Sequence, residues 1–122
     1  EVCSHIAAAH RGTAEVHFLY DSDPLINHED ATDLALRAAE KVAGTHNVVH
    51  NQPQFLAGED FGTFSQLVPG NFIFIGQGET DKADSPHNQG LHSPLYDFND
   101  DILPIGTEYW VELVEQIMPV NA

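Results

Sequence analysis

Positive charge is scarce in this chain. Against 19 Asp and Glu stand only Arg11, Arg37, Lys41 and Lys82, for a formal charge of −15 at pH 7. Such a surface repels phosphate backbones and anionic bilayers, which argues against nucleic-acid and membrane-surface partners. It suits cation binding, high solubility or a saline habitat, and does not separate them. Cysteine is reduced to Cys3, so an internal disulfide is excluded and none fixes the redox compartment. Cys3 itself, within helix-like sequence, reads as a small buried hydrophobe. No apolar run approaches the ~20 residues that cross a bilayer. The start shows neither an initiator Met nor a signal-peptide pattern, and a cytoplasmic location is the expectation. H-E-x-x-H, Cys-x-x-Cys, G-x-S-x-G and Gly-rich phosphate loops are all missing. So are internal repeats and low-complexity segments.

What is present is enough for a core. The 122 residues include 42% hydrophobic and 9% aromatic side chains, a globular composition of one-domain size. Residues 2–10 read as the end of a helix stopped by Gly12. Residues 14–20 alternate, with Ala14, Val16, Phe18 and Tyr20 on one face, as in a half-buried strand. Asp21, Ser22, Asp23 and Pro24 then form the best candidate domain boundary. Asn27 with Asp30 resembles a capping box for a helix over residues 28–42, whose stripe is Ala31, Leu34, Ala35, Ala38, Ala39 and Val42. Gly44 ends it. Residues 47–51 are a short strand candidate, and Phe61, Phe64 and Leu67 follow helical spacing up to Pro69. The unbroken apolar run 71–76 predicts a central strand buried on both faces, the most buried in the chain. Residues 77–89 read as a surface loop. The last helix, over residues 104–118, is expected to bury Leu103, Gly106, Trp110, Leu113, Val114 and Ile117, with Pro119 as its stop. Strands alternating with helices indicate an α/β layered fold.

The chain is organised around residues 90–101. Pro94 fixes its own φ and biases Ser93 towards extended geometry, so His92 should be presented from a constrained loop. Asp97, Asn99, Asp100 and Asp101 supply helix-start chemistry ahead of Pro104. A rigidly held imidazole beside a helix start suits a metal or an anion, but the plainer reading of the segment alone is a histidine in an ordinary capped loop. Glu59 and Asp60 precede a short helix, and in open α/β sheets such loops converge at the carboxyl ends of strands. A carboxylate and an imidazole can serve as metal ligands or as an acid/base pair. His5, His10, His28, His46, His50 and His87 have no partner at ligand spacing and read as surface histidines.

Taken in order, these motifs resemble one family. Glu59-Asp60-Phe61, Pro69-Gly70-Asn71-Phe72-Ile73-Phe74-Ile75-Gly76, Leu91-His92-Ser93-Pro94, Tyr96-Asp97-Phe98-Asn99-Asp100, and Leu103-Pro104 with Gly106 are similar to the C-terminal third of the metal-dependent amidohydrolases. That group includes hippurate hydrolase, N-acyl-amino-acid aminoacylases and the plant auxin-conjugate hydrolases. Upstream, Gly12-Thr13-Ala14-Glu15-Val16, Pro24 and Asn27 resemble the family's exit from its lid domain. The resemblance implies residues 1–22 as the end of an inserted α/β lid, and 23–122 as the C-terminal portion of a layered sheet-and-helix catalytic domain. It implies amide cleavage in N-acyl amino acids or related small substrates by a centre of two divalent ions, with zinc, manganese, cobalt and nickel not distinguished. His92 matches the family's last metal ligand. Glu59, Asp60 and Ser93 fall in the active-site neighbourhood, without a direct metal bond assigned to Glu59. Asp97, Asp100 or Asp101 could accept the other ring N–H of His92. For Asn27, helix capping is a sufficient explanation.

The remaining ligands and the general base of that family have no counterpart here, and Cys3 is not the ligand cysteine. No catalytic residue is therefore assigned. The chain is expected to be a fragment, inactive alone, with strand 14–20 deprived of its sheet partners and so disordered, folded back, or paired with a second copy as a homodimer. The competing reading is an acidic binding module that kept the fold and lost the catalysis.

Overall fold

An alanine-rich stripe lets two helices approach closely, and that approach makes the core of the computed structural model, which describes residues 1–20 and 22–119. Asp21, within the expected domain boundary, and residues 120–122 lie outside the described residues. The helices are α1 (Val2–Ala9), α2 (Glu29–Ala43), α3 (Phe61–Ser65) and α4 (Leu103–Ile117). Single 3₁₀ turns occupy Thr45–Asn47, Pro86–Asn88 and Asp100–Ile102. The packing between helices lies in α2 against α4, which buries Ala35, Ala38 and Tyr109. Gly44 closes α2 at φ 82, a left-handed position that glycine takes without strain.

α1 ends in a Schellman motif. Gly12 N–H donates to the Ala7 carbonyl at 2.8 Å and Arg11 N–H to that of Ala8 at 3.0 Å. The left-handed residue is Arg11, at φ 58, so Gly12 stops the helix from one position further on.

α4 turns inward a face that matches its apolar stripe only in part, with Gly106 and Leu113 half-buried as that stripe suggests. Tyr109 and Glu112 are buried, whereas Trp110 is 63% exposed and Leu103, Val114 and Ile117 are also exposed. The reason is charge. Glu112 receives Lys41 of α2 at 2.6 Å, and a buried carboxylate needs that cation. The hydrogen bond that Lys41 donates to Glu112 raises the Lys41 ammonium above its ordinary value, against a smaller opposing effect of desolvation. Burial raises the Tyr109 phenol in the same direction. A group whose value is raised on folding contributes stability that is complete below its unfolded value and is lost as pH climbs through the folded one. Stability should therefore fall from about pH 10 upward, with a shallower decline in Lys41→Met and in Tyr109→Phe. Equal alkaline slopes in all three proteins, measured by urea titration, would contradict this. At neutral pH Lys41→Met should destabilise more than Glu112→Gln, because only the first leaves a buried carboxylate without its cation.

No strand occurs among the described residues. The expectation that 71–76 is the most buried strand is not met: Phe74 is 64% exposed, with Ile73 and Ile75 also exposed. A ladder needs a partner main chain, and here side chains take that place. Asn27 accepts from Phe72 N–H at 2.8 Å and donates to the Phe72 carbonyl at 2.9 Å. His28 N–H donates to the Gly70 carbonyl at 3.0 Å, and Gly70 N–H donates to His28 Nδ1 at 3.1 Å. Asn71 reaches Thr32 on α2, and the Ile75 tip lies against α4 at Gly106. Asn27 is therefore not the cap of α2, which begins after His28 without a side-chain cap bond. Asn27→Ala should cost about 1–2 kcal/mol for its two lost bonds, read as a shift in the urea midpoint. Asn27→Asp should cost less, since it keeps the bond from Phe72 N–H. An unchanged midpoint in Asn27→Ala would show that the pairing adds nothing.

Candidate functional site

His92 is held in an unusual backbone conformation. Ser93 N–H donates to the Gly90 carbonyl at 3.2 Å, closing a turn whose third residue, His92, has φ 67. That is type II geometry, which normally calls for glycine at this position. An L-residue there costs about 1–2 kcal/mol, so neighbours must hold it. Ser93 Oγ accepts from Leu95 N–H at 3.1 Å, and Tyr96 N–H closes a second turn onto the Ser93 carbonyl around Pro94. The imidazole is exposed.

Two hubs organise the chain before and after this turn. Gln77 donates from Nε2 to the carbonyls of His87 and Asp97, both at 3.1 Å. Its Oε1 accepts from Tyr96 Oη at 3.0 Å and Asn99 N–H at 3.2 Å, and its main-chain carbonyl accepts from Asn99 Nδ2. Asn88 ties the loop to Glu79 and Lys82 through three further bonds. Glu79 accepts from Lys82 and from the buried Ser85 hydroxyl. These partners, Lys82 first, hold the Glu79 carboxyl below its ordinary value. Residues 77–89, expected as a surface loop, are mostly exposed and are also tightly self-bonded. His87, expected as a surface histidine, is half-buried with Nδ1 3.1 Å from the Asp97 carbonyl. The missed signal was compositional: a run of amide and hydroxyl side chains directly after an apolar segment can satisfy its own main chain.

The other expected site residues are dispersed. Glu59 is half-buried and accepts from Phe61 N–H at 3.2 Å, capping α3 from two residues upstream, while Asp60 is exposed. Asp97 directs its carboxylate towards His87, at 4.0 Å, and Asp100 is exposed at the start of its 3₁₀ turn. Among the described residues no hydrogen bond joins the His92 ring to Asp97, Asp100 or Asp101, and none joins Glu59 or Asp60 to the His92 turn. Nor do any three His, Cys, Asp or Glu among them converge as a metal-holding group. By themselves these residues do not fit a metal centre. What they offer is one exposed imidazole on a constrained turn.

The match to known proteins covers this whole arrangement. The model of peptidase family M20/M25/M40 matches residues 4–116. The chain belongs to that family. Uncharacterized hydrolase y4tI of Sinorhizobium fredii is 32% identical over 114 residues, which are 92% of this chain and 26% of the relative. IAA-amino acid hydrolase ILR1-like 2 of Arabidopsis thaliana is 30% identical across 100% of this chain and 28% of its own length. Hippurate hydrolase of Campylobacter jejuni is 25% identical across 93% of the chain and 27% of its own length. The chain therefore spans about a quarter of the length of these relatives. No solved structure matches it significantly. Among the described residues no helix is long and apolar enough to cross a membrane.

Proposed function

We propose that this chain is one part of a metal-dependent amidohydrolase that cleaves the amide bond of N-acyl amino acids or related small substrates. In that protein it supplies a metal-ligating imidazole, His92. The observation that carries the reading is the family match over residues 4–116 with His92 held at positive φ inside it. Backbone strain persists where the surroundings over-determine it, and such positions cluster at functional sites. The relatives' names, hippurate hydrolase and IAA-amino acid hydrolase, support small N-acyl amino acids as the substrate class.

The chain's own contribution is limited to presenting that imidazole; the other ligands and the base belong to the rest of the protein. The 122 residues alone are inactive on this reading. Residues 71–76 gain ladder partners only in the complete α/β domain, residues 1–22 end its lid, and residues 14–20 are open to a second copy where the rest of the lid sheet is missing. The cytoplasm is the proposed location. The test is hydrolysis of hippurate and an indole-acetyl amino acid by the complete protein, before and after chelation. Activity that a chelator removes and a divalent ion restores supports the reading. Activity indifferent to chelation, or full activity in the 122-residue chain, overturns it.

A further inference from the structure

We propose that His28 is a pH-sensitive latch, holding residues 70–72 against the start of α2 and releasing them in acid, an inference that does not depend on the reading of His92. His28, expected as a surface histidine, is half-buried at the N-cap of α2. Its ring Nδ1 accepts from Gly70 N–H at 3.1 Å, and its own main-chain N–H donates to the Gly70 carbonyl at 3.0 Å. A main-chain N–H can only donate, so Nδ1 must offer a lone pair. The neutral ring therefore carries its proton on Nε2.

Protonating Nδ1 sets two N–H groups head to head. The bond is lost and its two donors repel, so the imidazolium forms only once the ring and Gly70 have parted. The surrounding charges do not reverse this. On α2, Glu29 and Asp30 stand in the first turn, and both are exposed. The facing segment, residues 69–72, has no titratable side chain. Phe61 of α3 packs on Gly70; of the carboxylates before it, Glu59 is bonded to Phe61 N–H and Asp60 is exposed. Among the described residues, the histidines with a carboxylate oxygen within 4.0 Å are His17, His50 and His87, so none of these ion pairs favours a charged His28. The helix start is the positive end of α2 and opposes the cation further. The other ties to this segment, Asn27 with Phe72 and Asn71 with Thr32, involve no titratable group. The response is that of a single proton.

The experiment follows amide exchange at Gly70 in the complete protein, expressed as protection relative to an unstructured chain. With a free imidazole titrating near pH 6.5, linkage of one proton predicts a loss of protection of about thirtyfold between about pH 7.5 and about pH 5. Amides within α4 should keep their protection. His28→Asn places an oxygen where Nδ1 stood and does not titrate, so its Gly70 protection should be high and independent of pH. His28→Phe has no acceptor and should be poorly protected at every pH. Level protection across this range in the parent protein overturns the latch. So does an acid loss of the same size in His28→Asn, which would place the titrating group elsewhere, or an equal loss in α4, which would mean global unfolding. Nitrogen NMR finding the neutral ring protonated on Nδ1 would also overturn it.

Discussion

Gly62→Ala should destabilise the fold by about 3 kcal/mol or more. A methyl group at this position would meet the Asp23 carbonyl oxygen at 2.3 Å, its carbon at 3.1 Å and Leu25 N at 3.2 Å. All three are main-chain atoms, so no side-chain rotation relieves the clash. Gly62 is buried in α3, where its carbonyl also accepts from the Ser65 hydroxyl at 2.8 Å. Relief requires α3 and residues 23–25 to separate. That movement would displace Glu59, which caps α3, and the segment leading to Asn27. Gly58→Ala is the control, since nothing lies within 4 Å of a methyl group there. It should be neutral or stabilising by up to about 1 kcal/mol, through the unfolded chain. Urea unfolding of both variants checks the pair. A Gly62→Ala protein within about 0.5 kcal/mol of the parent would show that residues 23–25 do not pack on α3.

The second large effect is at His92, where stability and function should move in opposite directions. His92→Gly removes the cost of a side chain at φ 67 and should stabilise the complete protein by about 1 kcal/mol. The same change removes the imidazole, so metal content should fall and amide hydrolysis should drop to the level of the metal-free protein. His92→Ala should lose metal and activity without the gain in stability, because alanine meets the same left-handed penalty. A residue kept at a cost to stability is typical of a site where function sets the choice. Thermal unfolding together with metal analysis reads both halves. Retained metal and activity in His92→Gly would reduce His92 to a loop histidine. A loss of stability in His92→Gly would show that the turn is not strained.

How much of this was legible in the sequence depended on whether the cause was local. The helix of α2 was readable because Ala35 and Ala38 recur on one stripe and Gly44 ends it, and both causes lie within the segment. α4 was readable as a helix, but its inward face only in part. Apolar spacing pointed to Trp110 and Val114, while the Lys41–Glu112 pair turns Tyr109 and Glu112 inward. Pairing between residues so far apart leaves no periodic trace. Asn27 is ambiguous for a related reason: an amide that caps a helix and one that pairs with distant main chain look the same in sequence.

The strand at 71–76 was read from an unbroken apolar run, which reports a need for cover without supplying the partner chain. Among the described residues, Asn27 and His28 satisfy part of that main chain, while Phe74 remains exposed and Phe72 is half-buried. Phe72 and Phe74 stack edge to face at 5.3 Å, with Phe55 beside Phe74 at 5.7 Å. His92 was legible as a presented imidazole because Pro94 restrains the turn. Its left-handed backbone was not, since nothing in Leu91-His92-Ser93 requires positive φ. The Gln77 hub was also hidden, because its partners are separated from it by 10 to 22 residues.

The central claim is that the His92 imidazole is the donor this chain gives to a metal centre. Anomalous scattering from crystals of the complete protein grown with Zn²⁺ tests it most directly. The expected result is a metal peak about 2.0–2.1 Å from a ring nitrogen of His92, with the residue still at positive φ. A fully occupied metal centre with the His92 ring beyond bonding distance would contradict it.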